Sequence, residues 1–453
     1  MSAARRGRRR RITLVNQFYP PDISPTAHLT ASLAAHLAAG GDEVTVVTGG
    51  EGYVKGAARG HDRTEDGVCV VRLWTPALGK GSILKRLSDY LSFLVGATLS
   101  LVRLPRQDVV ISLTTPPFAA VSAVAHKLVR RRCRVVLWSM DCYPDVIERL
   151  GSRTRGGPVV HVGRRSPRTW ALETVRGALR PIASLRRGGP ASTVLRAVNR
   201  WVFRRLDHVV ALDDAMRDLL LDGYGSDGGT HPPATVIPNW EAADAFPEEE
   251  VAPWIGYRDP DLDGRFVVLY LGNLGYGHRI ATAVDAAELL RGDDDVAWLF
   301  MGGGARWEQL AGMAATGGVA DRVVRRDYVP KVETPAVMAG AGCALILLAD
   351  EALGVMSPSK LHANLAAGLP IVYVGPEGSN VDAAIARFGC GVSLRTGDVE
   401  GLATAVRRLR DDPAWREELS RAARRAFEEA YCDRATLPRW DAVLDGLGSP
   451  DPG

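Results

Sequence analysis

Residues 343–376 read CALILLADEALGVMSPSKLHANLAAGLPIVYVGP, and this stretch decides the fold class. An apolar run of strand length, CALILLA, is followed by a polar loop, a helical stretch and a second apolar run, PIVYVGP. Runs that are apolar at nearly every position are typical of strands buried on both faces, as in parallel sheets. The stretch therefore predicts a strand–helix–strand unit of a parallel sheet.

The same alternation fills both halves of the chain. In the first half the predicted strands are ITLV, EVTVVTG, VCVVRLW, DVVISLT, RVVLWSM and DHVVALD. In the second half they are FVVLYLG, AWLFMGG, VVRRDYV, CALILLA, PIVYVGP and GVSLR. The predicted helices include residues 27–39, 280–290, 399–410 and 413–447. We therefore expect an α/β protein with two doubly wound, Rossmann-like domains facing a cleft, followed by C-terminal helices.

Composition sets the expected domain boundaries. They are a basic tail at residues 1–10, an N-terminal domain at 11–240 with a basic insertion at 151–200, an acidic proline-containing linker at 241–264, a second domain at 265–430, and a C-terminal helix and tail at 431–453. Six cysteines without a CxxC pair indicate neither a disulfide framework nor a zinc site. A reducing cytoplasm is the expected location.

The two halves carry opposite charge. Counting Lys and Arg against Asp and Glu gives +16 for residues 1–240 and −12 for residues 241–453. A basic half suits an anionic surface such as phospholipid, a lipid diphosphate or nucleic acid, and charge alone does not choose among them. The sequence contains no base-stacking module, so nucleic-acid binding is not expected.

A glycine-rich loop follows the strand VVLYLG. It contains Gly272, Asn273, Gly275, His278 and Arg279 and leads into a helix. Glycines at a strand-to-helix turn let backbone N–H groups approach a phosphate, and the two basic side chains add positive charge. A tight turn that happens to be rich in glycine remains an equally good interpretation.

A second loop follows CALILLA and precedes a helix. Ser357 suits the N-cap and Pro358 the first helical position, which places Lys360 in the first turn. Amides at this helix start and Lys360 would then meet an anion beyond the strand ends. The alternative is an ordinary capped helix with an exposed lysine.

These residues carry a resemblance to a known family. The stretch PSKLHANLAAGLPIVYVGP resembles the donor-helix signature PSKxxEYxAxGxP of the GT-B glycosyltransferases of family 4. Six further blocks, QFYPPD, EVTVVTG, DVVISLTTPP, VIPNW, YLGNLGYG and FMGGG, precede this stretch and resemble blocks of that family in the same order. The resemblance covers nearly the whole chain from residue 11 to about 447, with a poor match at 151–200. The most similar subgroup makes surface polysaccharides and O-antigen units.

The resemblance implies a donor site in the second half. Its residues would be Gly272, Asn273, Gly275, His278, Arg279, Tyr328, Val329, Met356, Ser357, Ser359, Lys360 and Asn364. Ala363 departs from the family, which has a glutamate there for the ribose hydroxyls of the donor. Asn364 and the polar turn at residues 377–380 are the nearest substitutes by position.

The first half would hold the acceptor and the catalytic carboxylate. Asp141 follows the strand RVVLWSM, where a carboxylate can orient or deprotonate a hydroxyl, although a helix cap is the common role at such a position. The resemblance places a functional His or Asp near this point. Asp145, and after it Glu148, are lesser candidates. On the acceptor side the loop after the first strand contributes Gln17, Tyr19, Pro21, Ser24 and Thr26, without the paired glycines of many relatives.

Two basic stretches suggest contact with an anionic membrane surface. Residues 85–106 contain thirteen consecutive uncharged residues flanked by cations, too short to span a bilayer but suited to lying on one. Residues 149–205 contain fourteen arginines and one acid. Within them, Val194, Val198, Trp201 and Val202 lie opposite three arginines on a predicted helix, residues 194–206. A buried core helix and an ordinary surface helix are the respective alternatives.

The resemblance implies a retaining transferase that moves a sugar from a nucleoside diphosphate, most readily UDP, to an acceptor. The acceptor would be a lipid-linked or surface-glycan precursor at the inner membrane face, or a small-molecule glycan. No suitably placed DxD motif is present, so no metal or other cofactor is expected. Two rivals remain open: a nucleotide-sugar 2-epimerase on the same fold, and a non-catalytic homologue acting as a partner subunit, which Ala363 favours.

Overall fold

The computed structural model describes residues 9–22, 24–50, 60–64, 66–75, 83–151, 189–225, 231–246 and 251–448. The chain forms two compact units. Unit 1 comprises Met1–Leu212, Met216–Val236 and Asp441–Gly453, and unit 2 comprises Asp213–Ala215 and Ile237–Trp440. The change of unit at residues 236 and 237 lies four residues before the expected boundary, and the end of the chain is part of unit 1.

Unit 1 is built on an eight-stranded sheet with the order β3-β4-β2-β1-β5-β6-β7-β8. Its strands are β1 (Arg11–Val15), β2 (Glu43–Gly49), β3 (Gly60–Arg63), β4 (Cys69–Leu73), β5 (Val109–Leu113), β6 (Arg134–Trp138), β7 (His208–Ala211) and β8 (Ala234–Val236). All neighbours pair in parallel except β3, which is antiparallel to β4. The sequence did not predict the short edge strands β3 and β8.

The helices of unit 1 connect these strands. They are α1 (Pro25–Ala39), α2 (Ile83–Arg103), α3 (Ala120–Val129), α4 (Asp145–Leu150), α5 (Pro190–Phe203) and α6 (Asp214–Tyr224), whose first two residues belong to unit 2. The strand order reverses between β1 and β5, which pair with each other. Loops after these two strands therefore separate at a topological switch point, where open parallel sheets bind ligands.

Unit 2 is built on a six-stranded parallel sheet with the order β11-β10-β9-β12-β13-β14. Its strands are β9 (Phe266–Asn273), β10 (Val296–Gly303), β11 (Val323–Arg326), β12 (Cys343–Leu347), β13 (Ile371–Val374) and β14 (Gly391–Leu394). Tyr270, Trp298 and Phe300 are fully buried in its core, as the apolar strand pattern predicted. The switch point lies between β9 and β12.

The helices of unit 2 connect its strands and continue after β14, and residues from Asp441 onward in the last of them belong to unit 1. They are α7 (Ala281–Leu289), α8 (Trp307–Thr316), α9 (Thr334–Ala339), α10 (Lys360–Ala366), α11 (Asn380–Phe388), α12 (Val399–Asp411), α13 (Pro413–Ala426) and α14 (Asp433–Gly446). The prediction of uninterrupted helix over 413–447 is wrong. A π-helical turn, Phe427–Tyr431, precedes an extended Cys432, and α14 starts afresh.

Candidate active site

The loops after β9 and β12 meet at the switch point of unit 2. Gly272 has a φ of +121°, and a Cβ there would lie 3.3 Å from Lys360 Cε. Gly302, at the end of β10, has a φ of +139°, and its Cβ would lie 2.4 Å from the carbonyl oxygen of Gly272. These two glycines are therefore required for the close approach of two strand ends and of the lysine stem.

Lys360, in the first turn of α10, reaches back over the end of β9. Its Nζ donates to the carbonyl oxygen of Asn273 at 3.2 Å, lies 3.3 Å from His278 Nε2, and sits 4.8 Å from the centre of the Tyr270 ring. Burial lowers the pKa of Lys360 to about 8. The structure therefore brings together Gly272, Asn273 and Lys360, which the sequence predicted as one site. Tyr270 was not among the predicted site residues, and the sequence indicated it only by its position two residues before Gly272.

His278 and Gly275 form the second part of this site. The backbone nitrogen of Gly275 lies 3.1 Å from His278 Nδ1. Burial, and after it the charge on Lys360, lowers the pKa of His278 to about 3. The imidazole is buried, so its predicted role as a cation for a diphosphate does not fit a ring that stays neutral.

Arg279 points to a carboxylate of its own unit. Its Nη2 lies 2.6 Å from Glu351 Oε1, in the short 3₁₀ turn Asp350–Ala352 after β12. The sequence did not indicate this partner. Arg279 is thus paired with a carboxylate, whereas Lys360 contacts the backbone at the end of β9. Tyr328, after β11, has 59% of its surface exposed, and Val329 is half-buried beside it. The resemblance implies that the backbone at these two residues frames the base of the donor, and this stays a prediction.

The start of α10 differs from the prediction. Ser357 was expected to cap a helix beginning at Pro358, and this is wrong, because α10 begins at Lys360 and its N-cap is Ser359. The Ser359 side chain makes no capping hydrogen bond. Met356 and Ser357 are half-buried residues of the preceding loop.

The residues proposed to replace the family glutamate differ in their contacts. Ala363 is half-buried, whereas Asn364 is buried, and within the described part of the chain its Oδ1 has no hydrogen-bond partner. In the polar turn, Ser379 caps α11 by accepting from the amide of Asp382 at 3.1 Å. Asn380 donates to the carbonyl of Pro358 at 3.4 Å. A role of these side chains in holding ribose stays a prediction.

In unit 1 the strand ends also carry polar groups. The amide of Gln17, after β1, donates to the carbonyl of Thr115 at 2.9 Å, which joins the loops on both sides of the switch point. Asp141, after β6, is half-buried, and its amide donates to Thr114 Oγ1 at 3.1 Å. Burial raises the pKa of the Asp141 carboxyl to about 6. Asp141 and Tyr143 line a cavity of about 30 Å³, room for one water.

Asp145 occupies a different environment from Asp141. Together with Glu148 it is buried and paired with Arg196 of α5, whose Nη2 lies 2.5 Å from Asp145 Oδ1 and 2.6 Å from Glu148 Oε2. The Tyr224 hydroxyl also donates to Asp145. These contacts fit a structural ion pair that joins α4, α5 and α6. The predicted catalytic role of Asp145 therefore has no support in its contacts.

The acceptor-side loop is held from within unit 1. Tyr19 is buried, which raises the pKa of its hydroxyl to about 12. Pro21 is exposed, and the Ser24 and Thr26 hydroxyls lie 3.0 Å apart at the start of α1. Thus Pro21, Ser24 and Thr26 are accessible from solvent, whereas Tyr19 packs into the fold.

The predicted membrane-facing helices are partly corrected. On α5, Val194 was expected on the apolar face but is 61% exposed, and Arg196 was expected on the polar face but points to buried carboxylates. Residues 152–188 of the basic insertion, and the side chains of Lys85 and Arg86, lie outside the described residues. On α2, Leu91, Val95 and Leu99 form an exposed apolar stripe, while Phe93, Ala97 and Leu101 are buried.

The described residues contain neither a metal-binding cluster nor a helix able to span a membrane. The part of the chain that the structure describes holds no group of three His, Cys, Asp or Glu side chains placed to bind a metal ion. Over the same ranges, every helix is too short or too polar to cross a bilayer. Metal independence stays a prediction.

Two family patterns match the chain. Residues 26–240 match the family described as "Glycosyl transferase 4-like domain", and residues 259–426 match "Glycosyl transferases group 1". Together they cover most of the chain and correspond closely to units 1 and 2.

Curated relatives are similar in sequence. The probable glycosyltransferase WbjE of Pseudomonas aeruginosa is 24% identical over 59% of this chain and 65% of its own. The 2-deoxystreptamine glucosyltransferase of Streptomyces kanamyceticus is 28% identical over 50% of this chain and 58% of its own. The chain thus spans less than two thirds of these two relatives. The putative colanic acid biosynthesis glycosyl transferase WcaI of Escherichia coli is 24% identical over 86% of this chain and 89% of its own.

Solved structures share the fold. A sucrose-phosphate synthase from Thermosynechococcus elongatus has a TM-score of 0.65 at 14% identity, covering 97% of this chain and 99% of its own. Anabaena HepE, in complex with UDP and glucose, has a TM-score of 0.61 at 13% identity, with coverages of 96% and 99%. WaaG, a glycosyltransferase involved in lipopolysaccharide biosynthesis, has a TM-score of 0.59 at 15% identity, with the same coverages. On these matches and the two parallel-sheet units, the chain belongs to the GT-B glycosyltransferases of family 4.

Proposed function

We propose that this protein transfers a sugar from a nucleoside diphosphate, UDP in the first instance, to a hydroxyl of a surface-glycan precursor, with retention at the anomeric carbon. The observation that carries the proposal is the position of Lys360. Its Nζ lies on the backbone at the end of β9, beside the glycine-rich loop and at the switch point of a parallel sheet. Nucleotides bind at such points in open α/β sheets.

The donor chemistry follows from charge. Breaking a sugar–diphosphate bond leaves a negatively charged diphosphate, so a catalyst must stabilise charge on the leaving group. Lys360 supplies an ammonium, and the turn at Gly275 supplies a backbone amide. This donor set needs no divalent cation, so we propose a metal-independent reaction. A neighbour of the same fold, HepE, has been solved with UDP-glucose, which supports a UDP-sugar as the first donor to test.

Asp141 is the proposed partner of the acceptor hydroxyl. With a pKa near 6 its carboxyl is ionised at neutral pH, yet it is a stronger base than an ordinary aspartate. It can therefore accept a hydrogen bond from the hydroxyl and take its proton as the new bond forms. In a retaining reaction without a covalent intermediate, the hydroxyl attacks from the face that the diphosphate leaves, within an ion pair.

We further propose that the acceptor is lipid-linked and that unit 1 works at the inner face of the cytoplasmic membrane. The exposed stripe at Leu91, Val95 and Leu99 on α2 supports this, because the stripe recurs every fourth residue and ends next to the exposed Arg103. An apolar stripe bordered by cations is suited to an anionic lipid surface. WcaI, named for colanic acid biosynthesis, supports a polysaccharide pathway.

The test is incubation of the purified protein with radiolabelled UDP-, GDP- and dTDP-sugars, with and without bacterial lipid extract. Label in the lipid fraction that requires both donor and lipid is the expected result. An altered free donor sugar would instead identify a 2-epimerase. Donor binding without turnover would identify a non-catalytic partner subunit. Ala363 favours this alternative, because alanine cannot accept hydrogen bonds from the ribose hydroxyls as a glutamate does. The Lys360→Met variant, which should bind no donor tightly, is the control.

A further inference from the structure

His278 is a buried histidine whose two ring nitrogens face two different groups of the donor site. Nδ1 lies 3.1 Å from the backbone nitrogen of Gly275, and Nε2 lies 3.3 Å from Lys360 Nζ. The low pKa of His278, caused first by burial, keeps the ring neutral. A neutral imidazole carries one proton, on one of these two nitrogens.

The position of that proton decides which neighbour is bonded. A backbone N–H can only donate, so the bond from the Gly275 amide requires a bare Nδ1 and a proton on Nε2. A proton on Nε2 can be donated in a hydrogen bond to a neutral amine at Lys360. It cannot be donated to an ammonium, which has no lone pair to accept it. When Lys360 is an ammonium, the ring proton belongs on Nδ1, where the carbonyl of Gly275 lies within 3.2 Å as acceptor. In that tautomer the ring no longer accepts from the Gly275 amide.

We propose that His278 is a positioning residue that couples the charge on Lys360 to the availability of the Gly275 amide for the donor diphosphate. Protonation of Lys360 shifts the ring to the Nδ1–H tautomer. This shift releases the Gly275 N–H toward the phosphates at the same step that supplies the positive charge. The inference rests on the proposed function, because it takes the anion to be the diphosphate of the donor.

Of the groups at and around His278 and Lys360, Lys360 is the one expected to titrate between pH 7 and 9. Among the described residues, Tyr270 and Arg306 face Lys360 and His278, and Arg279 and His362 neighbour them in the sequence. Tyr328 lies near Tyr270, and Glu351 contacts Arg279. Burial raises the pKa of Tyr270 well above its ordinary value, and burial lowers that of His362 to about 4, so both stay neutral at pH 7–9. Arg279 is paired with Glu351.

The coupling predicts a pH dependence for nucleotide binding. The pKa of Lys360 is about 8 in the empty site, and a bound anion raises it, so binding takes up a proton. Affinity is therefore constant below about pH 8 and falls by up to tenfold per pH unit above it. The measurement is calorimetric titration with UDP at pH 7–9, in buffers of different ionisation enthalpy, which gives the number of protons taken up.

Two substitutions separate the two bonds of the ring. In His278→Asn the side-chain oxygen replaces Nδ1, keeps the Gly275 amide bonded and does not reach Lys360, so UDP should bind about tenfold more weakly at pH 7. In His278→Gln the side-chain oxygen replaces Nε2, accepts from the ammonium and leaves the Gly275 amide available, so affinity should stay within threefold of wild type. Equal melting temperatures of the two variants show that both are folded.

Equal losses of affinity in the Asn and Gln variants would overturn the coupling, because a purely structural histidine does not distinguish them. So would wild-type binding of UDP without proton uptake between pH 7 and 9. A folded protein that binds neither UDP nor GDP at any of these pH values would refute the proposed function itself. The failure of the inference and the failure of the function are thereby distinguished.

Discussion

Replacing Lys360 by methionine should weaken donor binding and stabilise the empty protein at the same time. The substitution keeps the length of the stem that passes Gly272 and removes the ammonium beside the end of β9. A hydrogen bond to a charged group contributes about 1.5–3 kcal/mol, so the dissociation constant for UDP should rise about 10- to 100-fold.

The stabilising effect follows from the lowered pKa. Because the pKa of Lys360 in the folded protein is about 8, below its ordinary value of 10.5, the folded state disfavours the ammonium. This cost is fully present below about pH 8 and is lost as the pH rises toward the unfolded value. Lys360→Met should therefore melt at a higher temperature than wild type at pH 7, and the difference should shrink as the pH rises from about 8 toward 10.5.

The assay is calorimetric UDP binding beside thermal melting. The matched control is Arg421→Met, which removes a cation from an exposed position on α13 and should leave UDP affinity unchanged. A dissociation constant for Lys360→Met within twofold of wild type, in a protein that melts normally, would refute the placement of the diphosphate at this lysine.

Three further predictions concern other parts of the molecule. Asp141→Asn should lower kcat by about 100- to 10,000-fold with unchanged UDP affinity. In the wild type, kcat/KM should rise between pH 5 and 7 with a midpoint near 6. Full turnover in the variant would exclude Asp141 from catalysis. Arg196→Met should lower the free energy of unfolding, measured in urea, by about 3–5 kcal/mol, because it removes the cation paired with the buried carboxylates of Asp145 and Glu148. A loss under about 1 kcal/mol would contradict that account. Gly302→Ala should lower the free energy of unfolding by about 1–3 kcal/mol and weaken UDP binding, because its Cβ meets the carbonyl of Gly272. Unchanged UDP binding would show that the contact between Gly302 and Gly272 does not shape the donor site.

Strand positions were predictable from the sequence because burial on both faces makes parallel strands continuously apolar. The predicted runs RVVLWSM and CALILLA contain β6 and β12 and exceed them by two residues each. The short edge strands β3 and β8 were not predictable, since GHDR and ATV carry no such pattern.

The candidate site was predictable only in part. Glycines and a lysine after strand ends predict a phosphate-binding edge, because strand polarity brings those loops together. What the sequence did not indicate was the set of partners that long-range folding supplies. Asp145 meets Arg196, 51 residues later in the chain, and Arg279 meets Glu351, 72 residues later. Local patterns contain no information about such pairs, so a carboxylate in a structural ion pair was taken as a catalytic candidate.

The last turns of α14 have a consequence for dissecting the protein. Asp441 meets His36 at 2.9 Å, and Asp445 meets Arg10 at 2.8 Å, all within unit 1. A fragment cut after residue 236 therefore lacks two of its own acidic partners and exposes the surface they cover. Producing unit 1 alone calls for a circular permutation that joins the terminal segment to the first strand, or for adding that segment as a separate peptide.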